Sequence, residues 1–137
     1  MNREEAIEYA NKLNELEKQK FELMRDHIIN NYDLLDADGY PTLNALMLIE
    51  TWHWSDPKGW FEFIKSIWWM PDVVFFIEEY DDIRDSKVYR YNISTGGWSG
   101  NESIITAMEQ TDMLWGLNWV QSRRGGHYIF ELKEVKE

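Results

Sequence analysis

The sequence contains no cysteine, and only three prolines and eight glycines occur among its 137 residues. Without cysteine there can be no disulfide bond, thiolate metal site or cysteine nucleophile, and the composition suits a reducing compartment. No apolar run approaches the length of a membrane span, and the start, Met1–Glu5, lacks the apolar centre of a signal peptide. The three histidines are scattered along the chain. We therefore expect a cytoplasmic protein with no membrane partner, no metal site and no cofactor.

Positive charge is also scarce, since 14 Lys and Arg face 25 Asp and Glu and the formal net charge is −11. The whole excess lies in residues 1–85, whereas residues 86–137 hold six charges of each sign. Phosphate contacts need clustered Lys and Arg, so direct binding to nucleic acid is not expected. The same acidity allows attraction to a basic partner protein.

Aromatic residues are abundant instead, at 15% of the chain, and eight of them are tryptophan. Such a composition argues against disorder, and the length suits one hydrophobic core. We predict a single domain over residues 1–137, with a helical part over 1–70 and a sheet part over 71–137.

The N-terminal stretch has no proline or glycine, which predicts a long helix from Arg3 to about Asn30. Its apolar residues follow two lines: Ala6, Tyr9, Leu13, Leu16 and Leu23, interrupted by Lys20, and beside them Phe21, Met24 and Ile28. The first line could pack on the body of the domain or on a second copy of the chain, which would make the protein a homo-oligomer. About three heptads with a polar gap are marginal for a coiled coil, so packing on its own domain is favoured.

Two further helices are predicted, one capped by Thr42 and one with Pro57 in its first turn. After Pro71, β-branched and aromatic residues predict strands over 73–77, 88–93, about 115–122 and 128–132. One helix, over 104–108, separates the two strand pairs. The predicted fold class is α+β, with N-terminal helices followed by a β-β-α-β-β unit that forms a four-stranded antiparallel sheet.

The first candidate site is a glycine-rich segment between a strand and a helix. Its residues Gly96, Gly97, Trp98, Ser99 and Gly100 could offer backbone N–H groups to an anion, with Trp98 as an exposed ring for stacking on a base or sugar. The alternative is a capping box in which Ser99 and Glu102 satisfy the helix start. Taken alone, the segment favours the cap.

A second glycine-rich turn, Gly125-Gly126, joins the last two strands and carries Arg123, Arg124 and His127. Period-two alternation predicts that Arg124 and His127 lie side by side on a polar face, where Arg can grip phosphate or carboxylate with two hydrogen bonds. The other face, with Trp115, Leu117, Trp119, Phe130 and Leu132, is the predicted core face. The alternative, which the sequence alone favours, is that Arg124 pairs with Glu131 or another local acid and His127 is solvated.

The sequence leaves two other functional hypotheses open besides ligand binding. In the first, an acidic surface imitates nucleic acid and docks on a basic host protein through Glu78, Glu79, Asp81, Asp82 and Asp85. In the second, the protein is a small hydrolase using Glu102 and His127 as an acid/base pair. A binding role is favoured over catalysis because no catalytic motif is present, and no residue is assigned as catalytic.

The segment Ile93–Glu102, followed by Trp119 and Ser122–Tyr128, resembles a group of small proteins encoded by tailed bacteriophages. The resemblance covers roughly the last third of the chain and brings no established activity. It implies a phage origin, the cytoplasm of the host cell as location, and action on host machinery. The resulting hypothesis is a non-enzymatic anti-defence protein that sequesters a small anionic, nucleotide-like ligand, which requires the two glycine-rich turns to meet in space.

Overall fold

The computed structural model describes residues 1–82 and 86–134. Its helices are α1 (Arg3–Asn31), α2 (Leu43–Thr51), α3 (Pro57–Ile67), α4 (Pro71–Val74), α5 (Ser99–Glu109) and α6 (Asp112–Asn118). Its strands are β1 (Phe75–Asp81), β2 (Lys87–Ser94), β3 (Trp119–Arg123) and β4 (His127–Glu134). No helix within these ranges is both long enough and apolar enough to cross a membrane.

The four strands form one antiparallel sheet in the order β1-β2-β4-β3. Its inner face packs on the helices: Tyr91 of β2 stacks on Phe61 of α3 with ring centroids 4.1 Å apart, and Phe130 of β4 contacts the same ring. The outer face carries the alternate side chains, among them Arg90 and Glu131, which form an ion pair at 3.0 Å. The predicted α+β class and the four-stranded antiparallel sheet are confirmed.

Helices α2 and α3 begin where the sequence predicts. The Thr42 hydroxyl accepts the backbone N–H of Ala45 at 3.3 Å, and the Asp56 carboxylate accepts that of Gly59 at 3.1 Å, which satisfies donors that a helix start leaves free. Trp60 of α3 is fully buried and donates its indole N–H to the carbonyl of Ile49 at 3.1 Å. The hydrogen bond from Trp60 to Ile49 joins α3 to α2 in the helical layer.

Helix α1 contacts the body only through its C-terminal half. Phe21 and Ile28 are its two buried residues, and Phe21 packs edge-on against Trp52. Residues 1–17 are exposed throughout, including Tyr9, Leu13 and Leu16. The prediction that the line from Ala6 to Leu23 packs on its own domain is therefore wrong, because the neighbouring line already makes that contact.

Two element boundaries also differ from the prediction. Val73 and Val74 belong to α4, so β1 begins only at Phe75. The predicted strand over 115–122 is divided, because Thr111 caps α6 by accepting the N–H of Trp115 at 3.2 Å and β3 starts only at Trp119. Leu117 is consequently 70% exposed and Trp119 lies at a sheet edge, so neither joins the core face that Phe130 and Leu132 do form.

Candidate functional site

The two glycine-rich turns meet at one end of the sheet. Strand β2 ends and β4 begins at the paired residues Ser94 and His127, and the next residue, Thr95, donates its N–H to the carbonyl of Gly126 at 2.9 Å. The turn after β2 and the turn before β4 are thus hydrogen-bonded neighbours. The requirement that the two glycine-rich turns come together in space is confirmed. We call residues 94–98 and 123–127 the glycine-turn end.

Glycine is required in these turns by backbone geometry. Gly96, Gly97, Gly125 and Gly126 all have positive φ, between 62° and 85°, where a side chain is strained. At Gly126 a Cβ would also lie 2.3 Å from the Thr95 hydroxyl oxygen. The glycines therefore set the close approach of the two turns, and Gly96 and Gly97 remain exposed.

The register of the last hairpin differs from the prediction. A two-residue turn at Gly125-Gly126 would pair Arg124 with His127, but Arg123 pairs with His127 instead, so the turn has three residues, Arg124, Gly125 and Gly126. Arg123, His127 and Ser94 then form one row across the outer face, with Arg124 in the turn beside them. The residue next to His127 on the polar face is Arg123, and the prediction that Arg124 holds this position is wrong.

Neither arginine of this end is neutralised by an acidic residue in the described part of the chain. Arg123 and Arg124 are exposed and have no ion-pair partner within residues 1–82 and 86–134. Glu131, the acid considered as a partner for Arg124, is bound to Arg90 and accepts a hydrogen bond from the Tyr80 hydroxyl at 3.3 Å. Two adjacent guanidinium groups thus face solvent in a chain of strongly negative charge.

Trp98 is packed between neighbours rather than free to stack on a ligand. Its indole stacks on Tyr40 at 4.7 Å and on Trp69 at 5.4 Å, each with an interplanar angle of 28°. The expectation of an exposed Trp98 ring is wrong, because Tyr40 and Trp69 arrive from segments far away in sequence. These two outer rings are exposed, and Trp69 lies 3.9 Å from where a Cβ on Gly96 would be. Sequence reasoning missed Tyr40, because no local pattern links it to Trp98.

The start of α5 is held by packing and not by a capping box. Its N-cap residue is Trp98, which makes no side-chain cap, and Ser99 only accepts a hydrogen bond from Ser103 through its carbonyl. Gly100 is buried, and a Cβ there would lie 2.2 Å from the Trp98 ring. Gly100 therefore seats the indole, and the predicted cap by Ser99 and Glu102 is wrong.

A buried asparagine, which sequence reasoning did not single out, anchors the glycine-rich turn. The side chain of Asn101 accepts the N–H of Trp69 at 2.9 Å and donates to the carbonyls of Trp69 and Thr95 at 3.3 and 3.2 Å. Because the residue is fully buried, these bonds are shielded from competing water. The turn after β2 is thereby fixed to the segment between α3 and α4.

The acidic stretch is divided by the sheet and partly paired. Glu78 lies on the outer face, whereas Glu79 lies on the inner face and forms an ion pair with Lys87. Asp82 accepts the N–H of Ser86 at 2.9 Å and lies 3.9 Å from the ammonium of Lys133. Asp81 is exposed at the end of β1, and Asp85 lies outside the described residues. The acids alternate between faces instead of forming one surface.

Glu102 and His127 do not form a pair. Burial, followed by the carboxylates of Glu109 and Glu102, raises the pKa of Tyr128, a residue of the inner face. His127 is the adjacent strand residue and points to the outer face. No hydrogen bond joins the two residues in the described part of the chain, and no group of three or more His, Asp or Glu side chains there is arranged to hold a metal ion.

Two surface grooves lie away from this end. One of about 580 Å³ runs between α1 and α3 past Arg25 and Lys58, and one of about 410 Å³ lies beside α6 and Trp54. Residues of the glycine-turn end line neither groove. No protein-family model, curated protein or solved structure matches the chain, so the site is interpreted from its own geometry.

Proposed function

We propose that the protein is a non-enzymatic binding protein that captures a small anionic, nucleotide-like ligand at the glycine-turn end. The observation that carries this proposal is the pair Arg123 and Arg124, at the point where two glycine turns meet, neither of which forms an ion pair with the residues that the structure describes. Arginine binds phosphate or carboxylate through two parallel hydrogen bonds, and such charge-assisted bonds are the strong ones.

The neighbouring groups suit the same ligand. His127 shares the outer-face row with Arg123, and the exposed backbone of Gly96 and Gly97 allows a ligand to approach closely. A base or sugar would stack on Trp69 or Tyr40, the exposed members of the ring stack that contains Trp98. Ser99 and Gly100 support the turn in this arrangement rather than touching the ligand.

The bacteriophage resemblance suggests a biological form for this activity. We propose that the protein acts in the cytoplasm of an infected host cell and counteracts defence by sequestering a nucleotide signal. Mimicry of nucleic acid by the acidic residues is supported less, because Glu79 and Asp82 already have lysine neighbours.

The test is calorimetric titration with pyrophosphate, nucleoside mono-, di- and triphosphates, a cyclic dinucleotide and NAD. At least one should bind, and Arg123→Ala with Arg124→Ala should weaken its binding at least about 10-fold, the equivalent of one charge-assisted hydrogen bond. Arg3→Ala, which removes an exposed arginine at the far end of α1, is the matched control and should leave binding unchanged.

Two outcomes would contradict the proposal. One is the absence of binding across the panel. The other is ligand binding that survives the double arginine variant. If the double variant also binds a basic protein, and salt weakens that binding steeply, the acidic-surface alternative is indicated instead.

A further inference from the structure

The exposed half of α1 carries an apolar line, which we call the α1 seam and define as Ala6, Tyr9, Leu13, Leu16 and Leu23. In a heptad, Ala6, Leu13 and Lys20 take the a positions and Tyr9, Leu16 and Leu23 the d positions. Tyr9 is 56%, Leu16 53% and Leu23 74% exposed. Apolar side chains at a and d positions are therefore left in water along most of a 29-residue helix.

The seam is distinct from the side of α1 that holds the body. Phe21 and Ile28, the buried residues, occupy b positions, roughly 100° around the helix from the a positions. Leu23 stays largely exposed although it lies in the half of α1 that touches the body. The body cannot cover the seam without releasing Phe21 and Ile28.

The free half of α1, residues 3–17, needs a partner to be a stable helix. These residues are exposed throughout, and isolated helices of about 15 residues are marginal in water because most helix stability in proteins comes from packing of an apolar face. The start is nevertheless fixed, since the Asn2 side chain accepts the N–H of Glu5 at 2.8 Å. A capped helix with an uncovered a/d line is the form that one strand of a coiled coil takes.

We propose that the α1 seam binds the same seam of a second copy, forming a parallel, two-stranded coiled coil. The charges flanking the seam select this partner and direction. In a parallel pair, Lys12 at a g position faces Glu17 at an e position of the second copy, and the symmetry axis repeats the pair. An antiparallel pair with Leu13 opposite Leu16 instead brings Glu5 near Asp26. The like-charged Lys20 layer weakens the parallel dimer but is a known device for fixing register and strand number.

Sedimentation analysis across a concentration series tests the oligomeric state. The wild-type chain should reach about twice its monomer mass of 16.5 kDa at tens of micromolar and dissociate on dilution. Leu13→Glu with Leu16→Glu should raise the dissociation constant at least about 100-fold, because four leucines per dimer lose their burial. Leu and Glu have similar helix propensities, so the two substitutions change the burial of the seam rather than the intrinsic helix preference of α1. The near-ultraviolet circular dichroism of the buried aromatic residues should be unchanged, which shows that the body stays folded.

Ile7→Glu is the matched control. Ile7 is as exposed as the seam leucines, on the same free half of α1, but occupies a b position outside the seam. It should leave the dissociation constant unchanged. A wild-type chain that stays monomeric at about 100 µM, a larger oligomer, or equal weakening by Ile7→Glu would overturn the proposal.

A disulfide tests the direction, because the chain has no cysteine of its own. Ala6→Cys places a thiol at the same level in both helices of a parallel dimer, so air oxidation should yield a covalent dimer. In the antiparallel alignment residue 6 lies opposite Leu23 of the second copy and no covalent dimer should form. A non-covalent dimer without this cross-link would overturn the parallel arrangement.

Discussion

At the scale of single residues, the glycine-turn end depends on glycines in left-handed backbone, one of which also has no room for a side chain. Gly125 and Gly126 both have positive φ, but only Gly126 has a close neighbour, since a Cβ there would lie 2.3 Å from the Thr95 hydroxyl oxygen. A side chain at Gly125 would therefore meet backbone strain alone, whereas a side chain at Gly126 would meet both backbone strain and a steric clash. Gly126 is where the second turn touches the first.

Gly125→Ala should lower the free energy of unfolding by about 1 to 2 kcal/mol, the cost of left-handed backbone for a residue with a Cβ. Gly126→Ala should cost about 1 to 3 kcal/mol more because its methyl group overlaps the Thr95 side chain. Thr95→Ala should recover part of this extra cost when combined with Gly126→Ala, and none when combined with Gly125→Ala. Urea denaturation of these four variants and of Thr95→Ala alone measures the coupling, and equal costs for the two glycine variants would contradict the close approach.

At the scale of elements, the sheet and the helical layer meet through aromatic rings. Tyr91 of β2 is buried against Phe61 of α3, and burial raises the pKa of Tyr91 well above its ordinary value. An unfolded chain ionises this tyrosine near pH 10, whereas the folded protein keeps it protonated. The stability that this difference gives is complete below about pH 10 and is lost as the pH rises further.

Tyr91→Phe should therefore flatten the loss of stability in alkali. The wild-type free energy of unfolding should fall faster than that of the variant by about 1.4 kcal/mol per pH unit above pH 10. Between about pH 6 and 8 the difference between the two proteins should stay constant, which is the internal control. Urea denaturation at each pH measures both curves, and parallel curves above pH 10 would show that the Tyr91 hydroxyl titrates alike in the folded and unfolded chains.

The sequence predicted most elements but not all of their surroundings. Local signals sufficed for the cap at Thr42 and for the start of α3 at Pro57, because the residues that decide them lie within four positions. The two glycine-rich turns were predicted in place, although the register of the second was not. The segment around Trp115 was ambiguous because its aromatic and leucine residues fit both a strand and a helix. The covering of Trp98 by Tyr40 was invisible because the contact spans 58 positions and depends on how α2 packs. The site was thus predictable in its place and its charges, and unpredictable in its aromatic part.

At the scale of the whole molecule, the structure has a body and a projecting helix. Residues 1–17 lie outside the core, whereas Phe21 begins the contact of α1 with the body through Trp52. The boundary between dispensable and necessary sequence should therefore fall between residues 17 and 21. Fold stability and self-association are expected to depend on different parts of α1.

Deleting residues 1–17 should change the free energy of unfolding of the monomer by less than about 0.5 kcal/mol, since exposed surface is removed. Deleting residues 1–24 also removes Phe21 and should cost about 3 to 5 kcal/mol, as expected for the loss of a buried aromatic side chain. Thermal unfolding at sub-micromolar concentration measures both. A large loss of stability from the shorter deletion would mean that the free half of α1 supports the body.

The stack of Trp69 on Trp98 gives the molecule an optical property of its own. Two stacked indoles with centroids 5.4 Å apart should couple their excited states, and we expect a couplet in the far-ultraviolet circular dichroism spectrum. Trp98 directly follows Gly97, and the Trp69 ring lies 3.9 Å from where a Cβ on Gly96 would be, so a movement of the turn should alter the couplet. Ligand binding at the glycine-turn end should then be measurable in the unlabelled protein, as a change in the circular dichroism of its own tryptophans.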